Sequence, residues 1–329
     1  MLGILWVQRK MNKFHISGLL LLSLSACGGE TTTAPVQLIT IPAAPVVVAA
    51  PAPAPPPVSN IATLTANLSV RQNGVDYYQN GKYFALNHSW GAEKLGMVYG
   101  RDYNVTVTYD RFALPKGTEF VWDYPDTPYD NALVYGYPSV AFGKTTLGLS
   151  GYNIDNSIAQ IKNIQNWTQH YDVTLKGDLR YMNLMSDVWL FDSTGKIAAE
   201  IVVSSYPDDH VNFWSDPKNF FGQQANAHVH EIDMDNVKFD ILVSNEYQGD
   251  KKIVFVTPSD DTVRISRGNI DWIRVLTLLR EHHDINAEWY VKGVEMGVEV
   301  QAGNGSMLVN DFSVSMTYLD PVTRAYVIY

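Results

Sequence analysis

The chain is short of cysteine, of charge and of long apolar runs. Its single cysteine, Cys27, excludes an intramolecular disulfide, so any fold must be held by its own core, which a chain of this length can build. Charged residues are only 18%, and the basic ones are the minority, with 24 Lys+Arg against 34 Asp+Glu and a formal net charge of −10. Nucleic acid needs clustered positive charge, so this balance argues against it and suits a neutral or polar partner. The apolar run from Gly18 to Leu24 is far shorter than the roughly 20 residues of a spanning helix. Aromatics are plentiful at 12%, with 19 tyrosines. Such residues fit pleated surfaces and also offer flat faces to ligands.

The N-terminal segment reads as an export signal. Arg9, Lys10 and Lys13 precede the apolar run, which closes on Leu24-Ser25-Ala26-Cys27. A basic stretch, a short apolar stretch and small residues describe a secretory signal, and a start at Met11 gives the more ordinary length. The closing tetrapeptide resembles a bacterial lipobox, which implies a lipid on Cys27, and Gly28 after it implies the outer membrane. Residues 1–27 are thus expected to be a lipoprotein signal peptide. Residues 28–58 are expected to be a tether, since Pro42 to Val58 contains only Pro, Ala and Val, a composition that stays extended and builds no core. Residues 59–329 are expected to form one domain.

Within that domain, period-two alternation predicts strands at Tyr103 to Tyr109, Tyr171 to Leu190, Ile197 to Tyr206 and Val237 to Val243. Asn269 to His283 has Ile270, Ile273, Leu276 and Leu279 at helical spacing. One helix among many strands predicts an all-β jelly-roll sandwich of two antiparallel sheets with a single packed helix.

Alternation also assigns faces. Val294, Met296, Val298 and Val300 share one face of their strand, and Glu295, Gly297 and Glu299 the other. Ile201 and Val203 oppose Glu200, Val202, Ser204 and Tyr206. Met182, Leu184, Val188 and Leu190 oppose Tyr181, Asn183, Asp187 and Trp189. Each of the three strands carries a carboxylate on the side away from its aliphatic residues. The strands of Asp187 and Glu200 can pair as a hairpin across Asp192-Ser193-Thr194-Gly195. Two carboxylates across an aromatic groove are what glycosidic cleavage needs. Spacing alone still favours ordinary solvent-facing strand residues.

Several segments, in order, resemble glycoside hydrolase family 12. Asn87-His88-Ser89-Trp90-Gly91 resembles its Asn-x-x-Trp-Gly element, and Trp122 followed by Val134 to Val140 its Trp and "VxxYPxx" segments. Ser186-Asp187-Val188-Trp189-Leu190 resembles "YDLW", and Ala199-Glu200-Ile201-Val202-Val203 resembles "YEIMIW". Trp289 to Glu299, then Leu308 to Val314, resembles "WYLxxIQAGFE…LxVxxFSV". The resemblance spans roughly residues 75–318 and implies a retaining endo-β-1,4-glucanase or xyloglucanase. Glu200 would be the nucleophile, Glu299 the acid/base and Asp187 the carboxylate beside the nucleophile. Asn87, Trp90, Trp122, Tyr137 and Glu295 would contact substrate. No cofactor or metal is implied, and the protein is expected to be a monomer that meets β-glucan and, through its lipid, a membrane.

The sequence departs from the motif beside Glu200, where Val202 and Ser204 replace Met and Trp, and at Glu295, which stands for Gln. Pro207 to Gly222, with Trp214, Phe220 and Phe221, replaces a proline-glycine loop. These departures motivate a second reading, a glycan-binding lipoprotein without catalysis. His228, His230 and Glu231 lack an evident further ligand and read as strand. Pro258-Ser259-Asp260-Asp261 reads as a turn.

Overall fold

A computed structural model of the chain describes residues 61–65, 76–127, 134–143, 158–206, 230–247, 251–260, 262–283 and 285–329. Cys27, the tether, the loop 207–222 and His228 lie outside the described residues, as do the side chains of His230 and Glu231.

In chain order the first strands are β1 (Ile61–Thr65), β2 (Asp76–Asn80), β3 (Tyr83–Asn87), β4 (Asn104–Asp110), β5 (Glu119–Asp123) and β6 (Ser139–Gly143). Next come β7 (Ala159–Gln160), β8 (Ile164–Gly177), β9 (Met182–Phe191), β10 (Ile197–Tyr206), β11 (His230–Met234) and β12 (Val237–Tyr247). The last are β13 (Lys251–Pro258), β14 (Arg267–Asp271), β15 (Tyr290–Val291), β16 (Gly293–Val300), β17 (Asn304–Leu319) and β18 (Tyr326–Ile328). Among the described residues there are two α-helices, α1 (Trp90–Lys94) and α2 (Trp272–His282).

These strands form two sheets. The seven-stranded sheet runs β1–β4–β5–β17–β8–β14, with β18 on β17. The eleven-stranded sheet runs β11–β12–β13–β10–β9–β16–β6–β3–β2, with β15 on β9 and β7 on β15. The core lies between them. Val105, Phe120, Trp122, Val309 and Phe312 come from one side, and Val188, Leu190, Ile201, Val203 and Val298 from the other. The chain is therefore an all-β jelly-roll sandwich.

Three details differ from the sequence expectation. The sheets are antiparallel except that β10 and β13 run parallel, because the β11–β12–β13 meander docks on β10 by its last strand. The helix begins later than its apolar spacing suggested. Arg267 to Asp271 alternate between exposed and buried and pair with β8 as β14. Asp271 then caps the helix by accepting from the Arg274 N–H at 3.0 Å. Ile270 is thus a strand residue, and the buried helix stripe is Trp272, Val275, Leu276 and Leu279. Tyr171 to Leu190 is also two strands, interrupted by a turn of 3₁₀ helix at Leu179–Tyr181.

Between the layers, Trp272 packs on Trp167 with ring centroids 5.5 Å apart. The Trp272 indole donates to Gln169 at 3.1 Å, and the Gln169 amide donates to the Ser186 hydroxyl at 2.6 Å. This chain ties α2, β8 and β9 together and satisfies polar atoms that burial would otherwise penalise.

Candidate active site

Strand register builds the site. The Asp192 turn closes the β9–β10 hairpin: its carboxylate accepts from the Thr194 and Lys196 N–H groups at 2.8 and 3.0 Å, and Gly195 takes φ +82°. The hairpin sets Glu200 opposite Trp189 and Val202 opposite Asp187. On the other side of β9, Glu295 lies opposite Asp187 and Glu299 opposite Asn183. Side-chain alternation then puts Glu200, Asp187, Glu295 and Glu299 on one face, while the neighbours between them enter the core. The face assignment from sequence alternation holds on all three strands except at Tyr206, where a register shift after Ser204 sets it opposite Leu184 and against the core.

The four carboxylates divide into two kinds. Glu200 and Glu299 are half-buried, so each retains access to a ligand on the sheet. Asp187 and Glu295, on the same face, are 3% and 2% exposed. Burial pushes the Asp187 carboxyl up to about 8, against the Trp189 indole and the Val188 N–H, which favour its anion. The indole donates to Asp187 Oδ2 at 2.7 Å. Glu295 is raised well above the usual carboxylate range by burial and then by the charge of Asp187, with the Ser139 hydroxyl opposing.

Tyr137 reports that the four groups converge. Its hydroxyl donates to the Met185 carbonyl at 3.3 Å. Burial, then Asp187, Glu295, Glu299 and Glu200, push the phenol well above its ordinary value. Negative fields from three strands thus meet at one buried hydroxyl. The flanks are apolar. Met185, Val202, Leu242, Ile253 and Phe255 cluster with Tyr137, and Phe84, Leu86 and Ala141 cluster toward the other edge.

Four of the expected substrate contacts are buried. Trp122 is 1% exposed because it points, like Phe120, from β5 into the core. Asn87 is buried, and its amide donates to the Val105 carbonyl at 3.2 Å, a bond from β3 to β4. Tyr137 and Glu295 are 4% and 2% exposed. Only Trp90 of the five is half-exposed, with Lys94 Nζ 4.6 Å from its ring centroid. The Asn87–Gly91 element instead seats α1: a Cβ on Gly91 would lie 1.7 Å from the Val134 carbonyl oxygen, so only glycine fits. Asp260, at the expected turn, accepts from the Thr262 N–H at 2.9 Å and from the Thr262 hydroxyl at 2.6 Å.

Sequence reasoning assigned no role to Asn183 and Ser204, although it placed both on this face. Asn183 is fully buried opposite Glu299, and the Ser204 hydroxyl donates to its Oδ1 at 2.6 Å. That bond orients the amide next to the acid/base candidate. The signal was a polar residue repeated at period two on a face already holding carboxylates.

No protein-family model matches the chain. The chain is 21% identical over 264 residues to endoglucanase S of Pectobacterium parmentieri, covering 78% of this chain and 90% of that protein. The family 12 xyloglucanase of Bacillus licheniformis superposes with a TM-score of 0.56 at 18% identity, covering 78% of this chain and 100% of that one. The catalytic domain of Humicola grisea Cel12A, solved with a thio-cellotetraose, gives 0.55 at 16% identity, covering 73% and 95%. The fold is that of the family 12 glycoside hydrolases. A further structure of this fold, the xyloglucanase domain of NopAA from Sinorhizobium fredii with cellobiose, gives 0.54 at 16% identity, covering 78% and 99%.

Proposed function

We propose that the chain is a retaining endo-β-1,4-glucan hydrolase acting on cellulose-like or xyloglucan-like chains. The observation that carries this reading is the pair of half-buried glutamates, Glu200 and Glu299, on one sheet face that also holds two buried carboxyls. Its fold and its endoglucanase relative support it.

In the reaction, Glu200 attacks the anomeric carbon while Glu299 gives its proton to the departing glycosidic oxygen, leaving a glycosyl-enzyme. Glu299, now a carboxylate, takes a proton from water. The water oxygen bonds the anomeric carbon, Glu200 leaves, and configuration is retained. Asp187 holds its place beside Glu200 through the Trp189 indole. By this reading the protein is also exported and held at the bacterial outer membrane by a lipid on Cys27. The lipobox-like Leu24-Ser25-Ala26-Cys27 supports that part.

Reducing-end release from mixed-linkage glucan, xyloglucan and xylan tests the activity. Glu200→Ala and Glu299→Ala are each expected to lose hydrolysis of every polymer by at least about 10³-fold, with circular dichroism unchanged. Full activity in either variant overturns the assignment. Glucan binding by a wild type that hydrolyses nothing would favour the non-catalytic reading. Cys27→Ala is expected to abolish palmitate incorporation, and retained incorporation would refute the anchor.

A further inference from the structure

Double displacement uses two carboxyls, yet this sheet holds four. Asp187 and Glu295 are direct cross-strand partners between β9 and β16, a position that sets Cβ atoms about 4.5–5.5 Å apart. They are 3% and 2% exposed, so water cannot screen them. Their hydrogen bonds are unequal. Asp187 Oδ2 accepts from the Trp189 indole, whereas Asp187 Oδ1 and Glu295 Oε1 are buried without a hydrogen-bond partner. Among the described residues, the ionisable groups around the pair are Glu200 on β10, Glu299 further along β16, and the Tyr137 phenol from the segment before β6. From β6 itself comes only the Ser139 hydroxyl. Among the described residues, no lysine or arginine contributes to either carboxyl. Two adjacent buried carboxylates without a cation cannot both ionise, so one keeps its proton. Burial raises both carboxyls, but Asp187 has two donors that oppose it, the Trp189 indole and the Val188 N–H, against the single Ser139 hydroxyl at Glu295, so Glu295 is the one that takes the first proton.

We propose that Glu295 is held as a neutral acid whose O–H donates to Asp187 Oδ1, making it a positioning residue that fixes Asp187 beside Glu200. The inference rests on the double-displacement reading of Glu200 and Glu299. It gives Glu295 a task that glutamine, the residue of the resembling motif, performs with an amide N–H but without a titratable proton.

A free Glu side chain titrates near 4.3, and Glu295 titrates well above that when folded. Between those values the folded protein holds a proton that the unfolded chain releases. The stabilisation is therefore complete below the unfolded value and is lost as pH rises toward the folded one.

The experiment is proton release on thermal unfolding at pH 6, taken from the dependence of the calorimetric enthalpy on buffer ionisation, together with the pH profile of kcat/KM on xyloglucan. Glu295→Gln is expected to release about one proton fewer than wild type, and to lack one ionisation of the wild-type alkaline limb. Glu295→Leu, with no donor, is expected to fall at least about tenfold below Glu295→Gln in kcat. Equal proton release in wild type and Glu295→Gln, or superposable pH profiles, overturns the proposal. If Glu295→Leu does not fold, the comparison of wild type with Glu295→Gln decides alone. Proton release needs no turnover. A missing proton in Glu295→Gln alongside an inactive wild type would uphold the acid pair while refuting the hydrolase reading.

Discussion

The outward faces of the two sheets obey different rules. On β17 of the seven-stranded sheet, Phe312, Val314 and Met316 are buried while Asp311, Ser313 and Ser315 are exposed. That is ordinary one-sided burial. On β9 and β16 of the eleven-stranded sheet, both faces are nearly closed, and the second face carries three carboxyls and an asparagine. One sheet is a wall with water behind it. The other has a second, partly polar interior, and that interior is where the chemistry sits. Polar groups there cannot rely on solvent, so each needs a partner or a proton.

This contrast can be broken by mutation. The largest expected effect is at Phe255, buried in the apolar flank of the large sheet's outward face. Phe255→Ala should cost about 3–5 kcal/mol in denaturant unfolding, as a core truncation does. A cost below about 1 kcal/mol would mean that this face is not a second interior. The intermediate effect is electrostatic. Between pH 6 and pH 7 the stability advantage of wild type over Glu295→Gln should shrink by about 1.4 kcal/mol, with urea titrations at the two pH values as the check. A constant difference would place Glu295 in solvent contact. The smallest effect is on the other wall. Ser313→Ala, on the exposed side of β17, should change stability by less than about 0.5 kcal/mol, and a larger loss would mean that this face is also covered.

The contrast also explains what the sequence made legible. Alternation located β9, β10 and β16 and the core side of each, because a period of two follows from backbone geometry alone. The hairpin at Asp192 was legible because its turn residues have local roles. Alternation cannot tell whether the non-core face meets water or a second layer, since that depends on the curvature of strands distant in sequence. The near-complete burial of Glu295 and Tyr137 was therefore not legible. The burial of Trp122 was hidden for a related reason: an aromatic fits a core and a groove equally well, and only its position on β5 sets its exposure. The start of α2 was misplaced because Ile270 satisfies both the strand and the helix period, and its pairing with Gln169 is a long-range fact. The parallel docking of β13 on β10 has no local signature either.

The central claim is that Glu200 is the nucleophile, and covalent trapping tests it most directly. The protein would be incubated with a 2-deoxy-2-fluoro cello-oligosaccharide bearing a good leaving group, digested, and mapped by mass spectrometry. A single glycosyl label on Glu200 is the result expected. A label on Glu299, Asp187 or Glu295, with Glu200 unmodified, would contradict the account.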